Sequence, residues 1–220
     1  DYFSDGITED IISYLSKVKG LKVISRTSVM QYKDSKMNIR DITKELGVAN
    51  ILEGSVRRAG DQVRITGQLI DAKTDAHLWA DIYDRKISDI FKVQSEVAKS
   101  IASTLGAELT SDEAKELASA KEIDPMAYDY YLRSDIGGSS NKDEIEQSIR
   151  YLEKALEYEP EYIDAITALA SWHGWMYFLG LDRTDSRLEK NKKYLEMAKS
   201  MAPDDPLVIE EEGLYYYRIF

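Results

Sequence analysis

The sequence predicts a mixed α/β domain followed by an all-helical domain. Residues 48–86 hold three runs in which apolar and polar residues alternate, a pattern typical of strands with one buried face. A change of charge follows: residues 1–109 contain 16 basic and 16 acidic side chains, whereas residues 110–220 contain 13 and 24 and carry the whole net charge of −11. We therefore predict an α/β domain over 1–109, a helical linker over 110–124 and a helical domain over 125–220.

The three alternating runs are expected to form an antiparallel meander. The link Ala59-Gly60-Asp61 is short enough for a hairpin, and a longer turn runs from Asp71 to Asp75. The apolar sets are Leu52, Gly54 and Val56 in the first run, Val63, Ile65 and Leu69 in the second, and Leu78, Ala80 and Ile82 in the third. Amphipathic segments on both sides of the meander are expected to pack on this sheet.

Four helices and one short extra strand are predicted around the meander. Apolar residues at helical spacing predict a helix over 7–18, and a short strand is expected at 21–25. A capping-box pattern predicts a brief helix near 28–31. A helix over 38–47 ends at a glycine suited to a left-handed C-terminal residue, and a long helix covers 90–105.

A short phrase recurs in the second half of the chain. An alanine precedes a proline by five positions at Ala155 and Pro160, and again at Ala198 and Pro203. This phrase resembles the end of a tetratricopeptide repeat, where a small residue lets two helices approach and proline ends the second helix. The two prolines are 43 residues apart, against a repeat of about 34, so the extra residues are expected to lengthen the turn near 178–186. The resemblance implies a superhelix of about two and a half repeats, the last cut in its first helix.

The first half resembles the amino-terminal domain of TolB and FlgO over roughly residues 2–109. The motifs that carry the resemblance are YFSDGITEDI, ILEGSVRR, DQVRITGQLIDA and AHLWADIYDR. In that family the domain commonly precedes tetratricopeptide repeats and lies downstream of a class III adenylate/guanylate cyclase, a protein kinase or a winged-helix domain. Relatives usually begin with a strand before the first motif, so this sheet is expected to lack a member or to have an exposed edge. The chain is interpreted as a piece of a longer protein.

Composition excludes several classes of function. Having no cysteine excludes disulfides, thiolate metal sites and thiol catalysis. An acidic chain is a poor partner for nucleic acid, whose binding needs a basic surface. No apolar run approaches the roughly 20 residues that span a bilayer, so no membrane segment is expected here. The compartment stays open: cytoplasmic, or extracytoplasmic if a membrane helix lies upstream in the parent protein.

No catalytic residue, metal site or cofactor is expected. His77 and His173 are nearly 100 residues apart and fall in different predicted domains, so both are interpreted as structural. Neither the G-x-x-x-x-G-K-[ST] nor the G-x-G-x-x-G phosphate motif occurs. Ser4-Asp5-Gly6 precedes a helix and is interpreted as a cap rather than an anion site.

Two surfaces are candidates for binding. Tetratricopeptide repeats line a concave groove with the first helix of each pair, and the resemblance places there Thr167, Ser171, Trp175, Glu210, Leu214 and Tyr217. An acidic, aromatic groove suits a protein or peptide partner with basic residues; the alternative is a packing surface within the chain or between copies in a homo-oligomer. Arg57, Arg58 and Arg64 form a basic patch at the first hairpin, for an acidic partner or phosphate, unless they only solvate the sheet.

We therefore interpret the chain as a non-catalytic regulatory and protein–protein interaction region of a bacterial signalling protein, by resemblance the C-terminal part of an adenylate/guanylate cyclase-like protein. The first alternative is a small-molecule-sensing domain of a kinase or transcriptional regulator, with a ligand cleft beside the meander. An enzyme in its own right is a third reading.

Overall fold

The computed structural model describes residues 2–33, 35–107, 109–111, 113–114, 123–134 and 139–219. The chain divides into two compact units, with the boundary near residue 122. Most of the linker predicted over 110–124 lies outside the described residues.

The first unit combines helices with one antiparallel sheet of strand order β1-β2-β3. Its elements are α1 (Tyr2–Ser16), α2 (Arg26–Met30), α3 (Ile39–Leu46), β1 (Asn50–Ala59), β2 (Gln62–Asp71), β3 (Ala76–Lys86), a 3₁₀ turn (Ile87–Asp89) and α4 (Ile90–Thr104). The α+β class and the three-stranded meander are confirmed.

The short strand predicted at 21–25 is wrong. These residues are all described, and none of them belongs to a strand. A β-strand is stabilised by ladder hydrogen bonds to a neighbour, and this segment pairs with neither edge of the sheet. An apolar run alone therefore did not make it a strand.

The sheet register decides which side of each strand is buried. Val56, Ile65 and Tyr83 lie opposite one another on the buried face. In β3 the buried side is therefore that of Tyr83. The prediction that Leu78, Ala80 and Ile82 form the buried face of this strand is wrong, since Leu78 and Ile82 are 45% and 59% exposed. The turn between β2 and β3 fixes this register. A shift by one residue would move every side chain of β3 to the opposite face of the sheet.

The core of the first unit lies between α1, α4 and the buried face of the sheet. The apolar stripe of α1 is buried, and so is that of α4. Gln94 on α4 is fully buried and donates to an Asp10 carboxylate oxygen on α1 at 2.8 Å. Local chemistry bounds α3, since Asn38 caps its first turn and Gly47 ends it in the left-handed conformation, at φ 65°.

A buried carboxylate joins the end of α1 to a later turn. Glu113 is 8% exposed and accepts hydrogen bonds from the Lys19 amide at 3.0 Å and from the Thr110 amide and hydroxyl at 2.8 and 2.7 Å. These donors favour the ionised form and lower the pKa of Glu113 to about 2, with the Lys19 amide the largest cause.

This carboxylate should make the first unit sensitive to acid. A lowered pKa contributes stability that is present above the unfolded pKa of about 4.5 and is lost as the pH falls from there toward 2. We expect Glu113→Gln to lower the midpoint of urea unfolding at pH 7 and to flatten the loss of stability between pH 4.5 and 2.5. An unchanged pH profile in this variant would contradict the assignment.

The described secondary-structure elements of the second unit are all helices. Its elements are α5 (Pro125–Arg133), α6 (Lys142–Tyr158), α7 (Ile163–Phe178), α8 (Asp185–Met201) and α9 (Pro206–Ile219). Consecutive helices pack on one another, and α7 also packs on α9. The main core comprises Ala127, Ile145, Ile149, Leu152, Ala155, Tyr162, Ala165, Leu169 and Met176.

Two helices of this unit repeat one local structure. α6 and α8 both have 17 residues, and Ala155 and Ala198 are fully buried near their ends. The carbonyl of each alanine accepts from the amide four residues later at 2.9 Å. The turn between α7 and α8 is only 179–184, so much of the extra length predicted for this turn lies instead in the helices, which have 16 and 17 residues.

Candidate functional site: a groove between alternate helices

A groove runs between α7 and α9 and is closed on one side by α5. Ile166 and Val208 share a buried cluster near the starts of α7 and α9, and Arg218 bonds to Ser171 farther along both. The two helices therefore run in the same direction. Between them lies a cavity of about 420 Å³, within the usual size of ligand pockets, about 300–1,000 Å³.

The structure brings five of the six groove residues predicted from the sequence to this cavity. Its lining includes Thr167, Ser171, Trp175, Glu210 and Leu214. Tyr217 does not line it. Tyr217 is 71% exposed, and its ring lies 5.7 Å from that of Phe178.

Sequence reasoning missed the remaining lining residues. They are Tyr131, Asp164, Ala168, Trp172, Leu207, Glu211 and Arg218. Those on α7 follow from the helical spacing of the predicted ones, which was an available signal. Tyr131 comes from α5, and only the tertiary packing of α5 brings it to the groove.

An ion pair forms the floor at one end of the groove. Arg218 donates through Nη1 to the two carboxylate oxygens of Glu211 at 3.1 and 3.3 Å and to the Ser171 carbonyl at 3.3 Å. Both side chains are buried, at 7% and 3% exposure. Burial raises the pKa of Glu211, and the Arg218 charge opposes that rise. We call Arg218 and Glu211 the Arg218 pair; the buried Asn191 lies beside them and donates to Glu211.

Trp175 forms a wall at the same end and is held by three contacts. Its indole nitrogen donates to the Ser139 carbonyl at 3.2 Å, its ring stacks on Phe178 at 5.6 Å, and the Arg218 guanidinium lies 5.5 Å from its centroid. Trp175 therefore supports the groove as well as lining it. Truncation of this side chain would disturb packing, which makes it a poor probe of binding alone.

A second buried polar cluster lies on α7, around Arg187 of α8. Arg187 donates to Asp182 at 2.8 Å, to Nδ1 of His173 at 3.0 Å and to Glu146. His173 is fully buried, and burial, followed by the charges of Arg187 and Lys190, lowers its pKa to about 3. A neutral imidazole held in this way positions α8 on α7. We call this set the Arg187 cluster.

The basic patch predicted at the first hairpin is divided between two faces. Arg57 and Arg64 lie opposite each other on the open face, and Arg64 forms a two-pronged ion pair with Asp84 at 2.6 and 2.9 Å. Arg58 points to the other face, donates to the Gly60 carbonyl at 3.1 Å and lies over the Phe3 ring. The three residues do not form one anion site.

The described residues contain no group of three or more histidine and acidic side chains placed to hold a metal ion. His77 is exposed on β3, whereas His173 lies in the Arg187 cluster of the other unit. Among the described helices, none is long and apolar enough to cross a bilayer.

The chain shares a long stretch of sequence with a known bacterial protein. No family model matches the chain. A stretch of 133 residues, 60% of the chain, is 52% identical to a protein of Rhizobium meliloti (strain 1021) named "Putative adenylate cyclase 3". The match covers 23% of that relative, so the chain spans about a quarter of its length.

Proposed function

We propose that this chain is a regulatory, protein-binding region of a bacterial signalling protein of the adenylate/guanylate cyclase type. The observation that carries the proposal is the groove, which receives side chains from α5, α7 and α9 and opens between them. The named relative supports the cyclase association. The chemistry of nucleotide cyclisation would lie in another part of the parent protein.

The helical unit is proposed to be a set of tetratricopeptide repeats. One support is that α6 and α8 have the same length and end with the same hydrogen bond to an alanine carbonyl. A second is that α7 packs against α9 across the intervening helix. The first turns of α5 and α9 are also capped alike. Asp124 accepts from the Met126 amide at 2.7 Å, and Asp205 accepts from the Leu207 amide at 2.9 Å, each just before a proline.

The first unit is proposed to be a TolB-like or FlgO-like domain, as the four sequence motifs indicate. Its meander and its two long helices, α1 and α4, provide the framework on which those motifs lie. In this unit a depression of about 330 Å³ at α3 is lined by Met37, Asp41, Lys44 and Glu45, all of which are exposed. So open a surface suits a small molecule less well than an enclosed, mostly apolar pocket would. Binding by the helical unit is therefore favoured over a small-molecule cleft beside the meander.

Selection of peptides tests the groove. A phage library of random 12-residue peptides would be selected on the full chain, and the enriched peptides would be synthesised and their affinities measured. We expect Trp172→Ala to weaken their binding about tenfold or more, because aromatic anchors contribute most to such interfaces. Tyr217→Ala is the matched control: it removes an exposed aromatic ring outside the cavity and should leave the affinity within about twofold.

Circular dichroism would confirm that both variants remain folded. Peptides that bind Trp172→Ala as well as the unchanged chain would show that the groove is not the binding surface. Failure to enrich any peptide that depends on the groove would overturn the proposed function.

A further inference from the structure

We propose that the groove binds its peptide partner through one large apolar side chain, which enters between Ala168 and Leu214, and through main-chain groups on either side of that side chain. This inference rests on the proposed function and names the chemistry that the partner presents. We call the space bounded by Ala168, Trp172, Leu207 and Leu214 the apolar pocket.

The apolar pocket is formed by one small side chain and three large ones. Ala168 and Trp172 belong to α7, whereas Leu207 and Leu214 extend from α9. Leu207 is 47% exposed although it lines a concave surface. Water beside apolar walls is poorly bound, so an apolar side chain that displaces it from this cavity of about 420 Å³ gains affinity.

The charges of the lining favour an apolar ligand group over a charged one. Arg218 and Glu211 are buried and already match each other. Glu210 is exposed, so its charge is screened by solvent. An exposed ion pair with a ligand adds about fivefold or less to affinity. Burial of a large apolar side chain adds about tenfold to a hundredfold.

Two buried polar atoms in the lining have no hydrogen-bond partner among the described residues. One is the hydroxyl of Thr167, a residue that lines the groove at 7% exposure, and the other is Nε of Arg218. A buried polar atom without a partner is costly, and most such atoms in folded proteins are paired. Because both residues line the groove, a bound peptide is the source of the partners that these atoms lack.

The spacing of these two residues fits an extended main chain. Thr167 lies four residues before Ser171 on α7, and Arg218 donates to the Ser171 carbonyl at 3.3 Å. The two groups are therefore about 6 Å apart along the helix, at 1.5 Å per residue. An extended peptide repeats its main-chain groups on one side every second residue, about 6.6 Å. This match assigns both atoms to main-chain groups of the partner.

Replacing Thr167 by valine separates a role in binding from a role in the fold. Since valine removes a buried polar atom that has no partner, we expect the midpoint of urea unfolding to equal or exceed that of the unchanged chain. The same change should weaken binding of the enriched 12-residue peptides about threefold to tenfold, as loss of a hydrogen bond does. A lower midpoint would mean that the hydroxyl serves the fold, and would overturn its assignment to the partner.

Leu207→Ala tests the apolar pocket, with Ile209→Ala as the matched control. Both residues are exposed on α9, at 47% and 55%, but Ile209 does not line the groove. We expect Leu207→Ala to weaken peptide binding about fivefold or more, and Ile209→Ala to change it less than twofold. Alanine in place of the enriched apolar residue of the peptide should weaken binding about tenfold or more. Far-UV circular dichroism checks that both protein variants keep their helices.

The outcomes separate this inference from the function on which it rests. Peptides that depend on Trp172 but share no large apolar residue, or that bind Thr167→Val or Leu207→Ala as well as the unchanged chain, would overturn the inference and leave peptide binding in place. Binding of N-acetyl-leucine amide as tightly as the peptides would assign the pocket to a small molecule and overturn it too. Selection that yields no peptide dependent on the groove would overturn both.

Discussion

Replacing Arg187 by methionine should lower the free energy of unfolding by roughly 3–5 kcal/mol, since it leaves three partly or fully buried groups without their donor, each at a cost of about 1–3 kcal/mol. The side chain is 11% exposed and bonds to three groups from different parts of the second unit. Methionine fills part of the space but leaves Glu146, Asp182 and the imidazole of His173 without their shared donor. Most of the loss in free energy comes from leaving these groups without a hydrogen-bond partner, and less of it from the lost attraction between the charges.

Urea unfolding followed by circular dichroism at 222 nm would measure this change. Lys192→Met is the control, because Lys192 is an exposed cation on the same helix. We expect its midpoint to stay close to that of the unchanged chain. A similar midpoint for Arg187→Met would mean that the cluster contributes little to the stability of the helical unit.

Replacing Arg218 by methionine should have a comparable effect and a distinctive pH dependence. The variant leaves Glu211 buried at 3% exposure without its guanidinium, and the expected loss at neutral pH is again roughly 3–5 kcal/mol. Burial already raises the pKa of Glu211, and removal of Arg218 should raise it further. A raised pKa contributes stability that is present below the unfolded pKa and is lost as the pH rises through the folded pKa.

The variant should therefore be closest to the unchanged chain near pH 4.5 and fall behind it as the pH rises toward 7. Unfolding curves at several pH values would show this as a growing gap between the two proteins. The double variant Arg218→Met, Glu211→Gln should recover part of the loss at pH 7, since it removes the unpaired charge. A gap that does not change with pH would contradict this account of the Arg218 pair.

Local signals in the sequence were sufficient where one residue and its immediate neighbours determine the structure. Asn38 and Gly47 bound α3 as expected, because a cap and a left-handed glycine act on adjacent backbone groups. The alternation in β2 predicted its buried face correctly, because successive side chains of a strand point to opposite faces of the sheet. Five of the residues that the resemblance to a tetratricopeptide repeat placed in the groove line the cavity.

Features that depend on long-range pairing were not predictable in this way. The strand expected at 21–25 needed a neighbour that the sheet does not supply. The buried face of β3 was predicted wrongly, because Leu78 and Ile82 alternate as regularly as Trp79 and Tyr83 do. Only pairing with β2 decides between the two faces.

The basic patch illustrates a different limit. Arg57 and Arg58 are adjacent in one strand, so the pleat directs them to opposite faces, and this was deducible from the sequence. The Arg218 pair was not deducible. Glu211 and Arg218 are seven residues apart on one helix, but their burial depends on how closely α9 approaches α7.

The lengths of the two groove helices fix the reach of a partner. α7 has 16 residues and α9 has 14, which correspond to about 24 and 21 Å at 1.5 Å per residue. An extended peptide advances about 3.3 Å per residue, so about seven residues would run the length of the groove. A tripeptide bound where α7 and α9 begin would fall short of Trp175. Protection of a bound peptide from proteolysis should therefore reveal a footprint of six or seven residues.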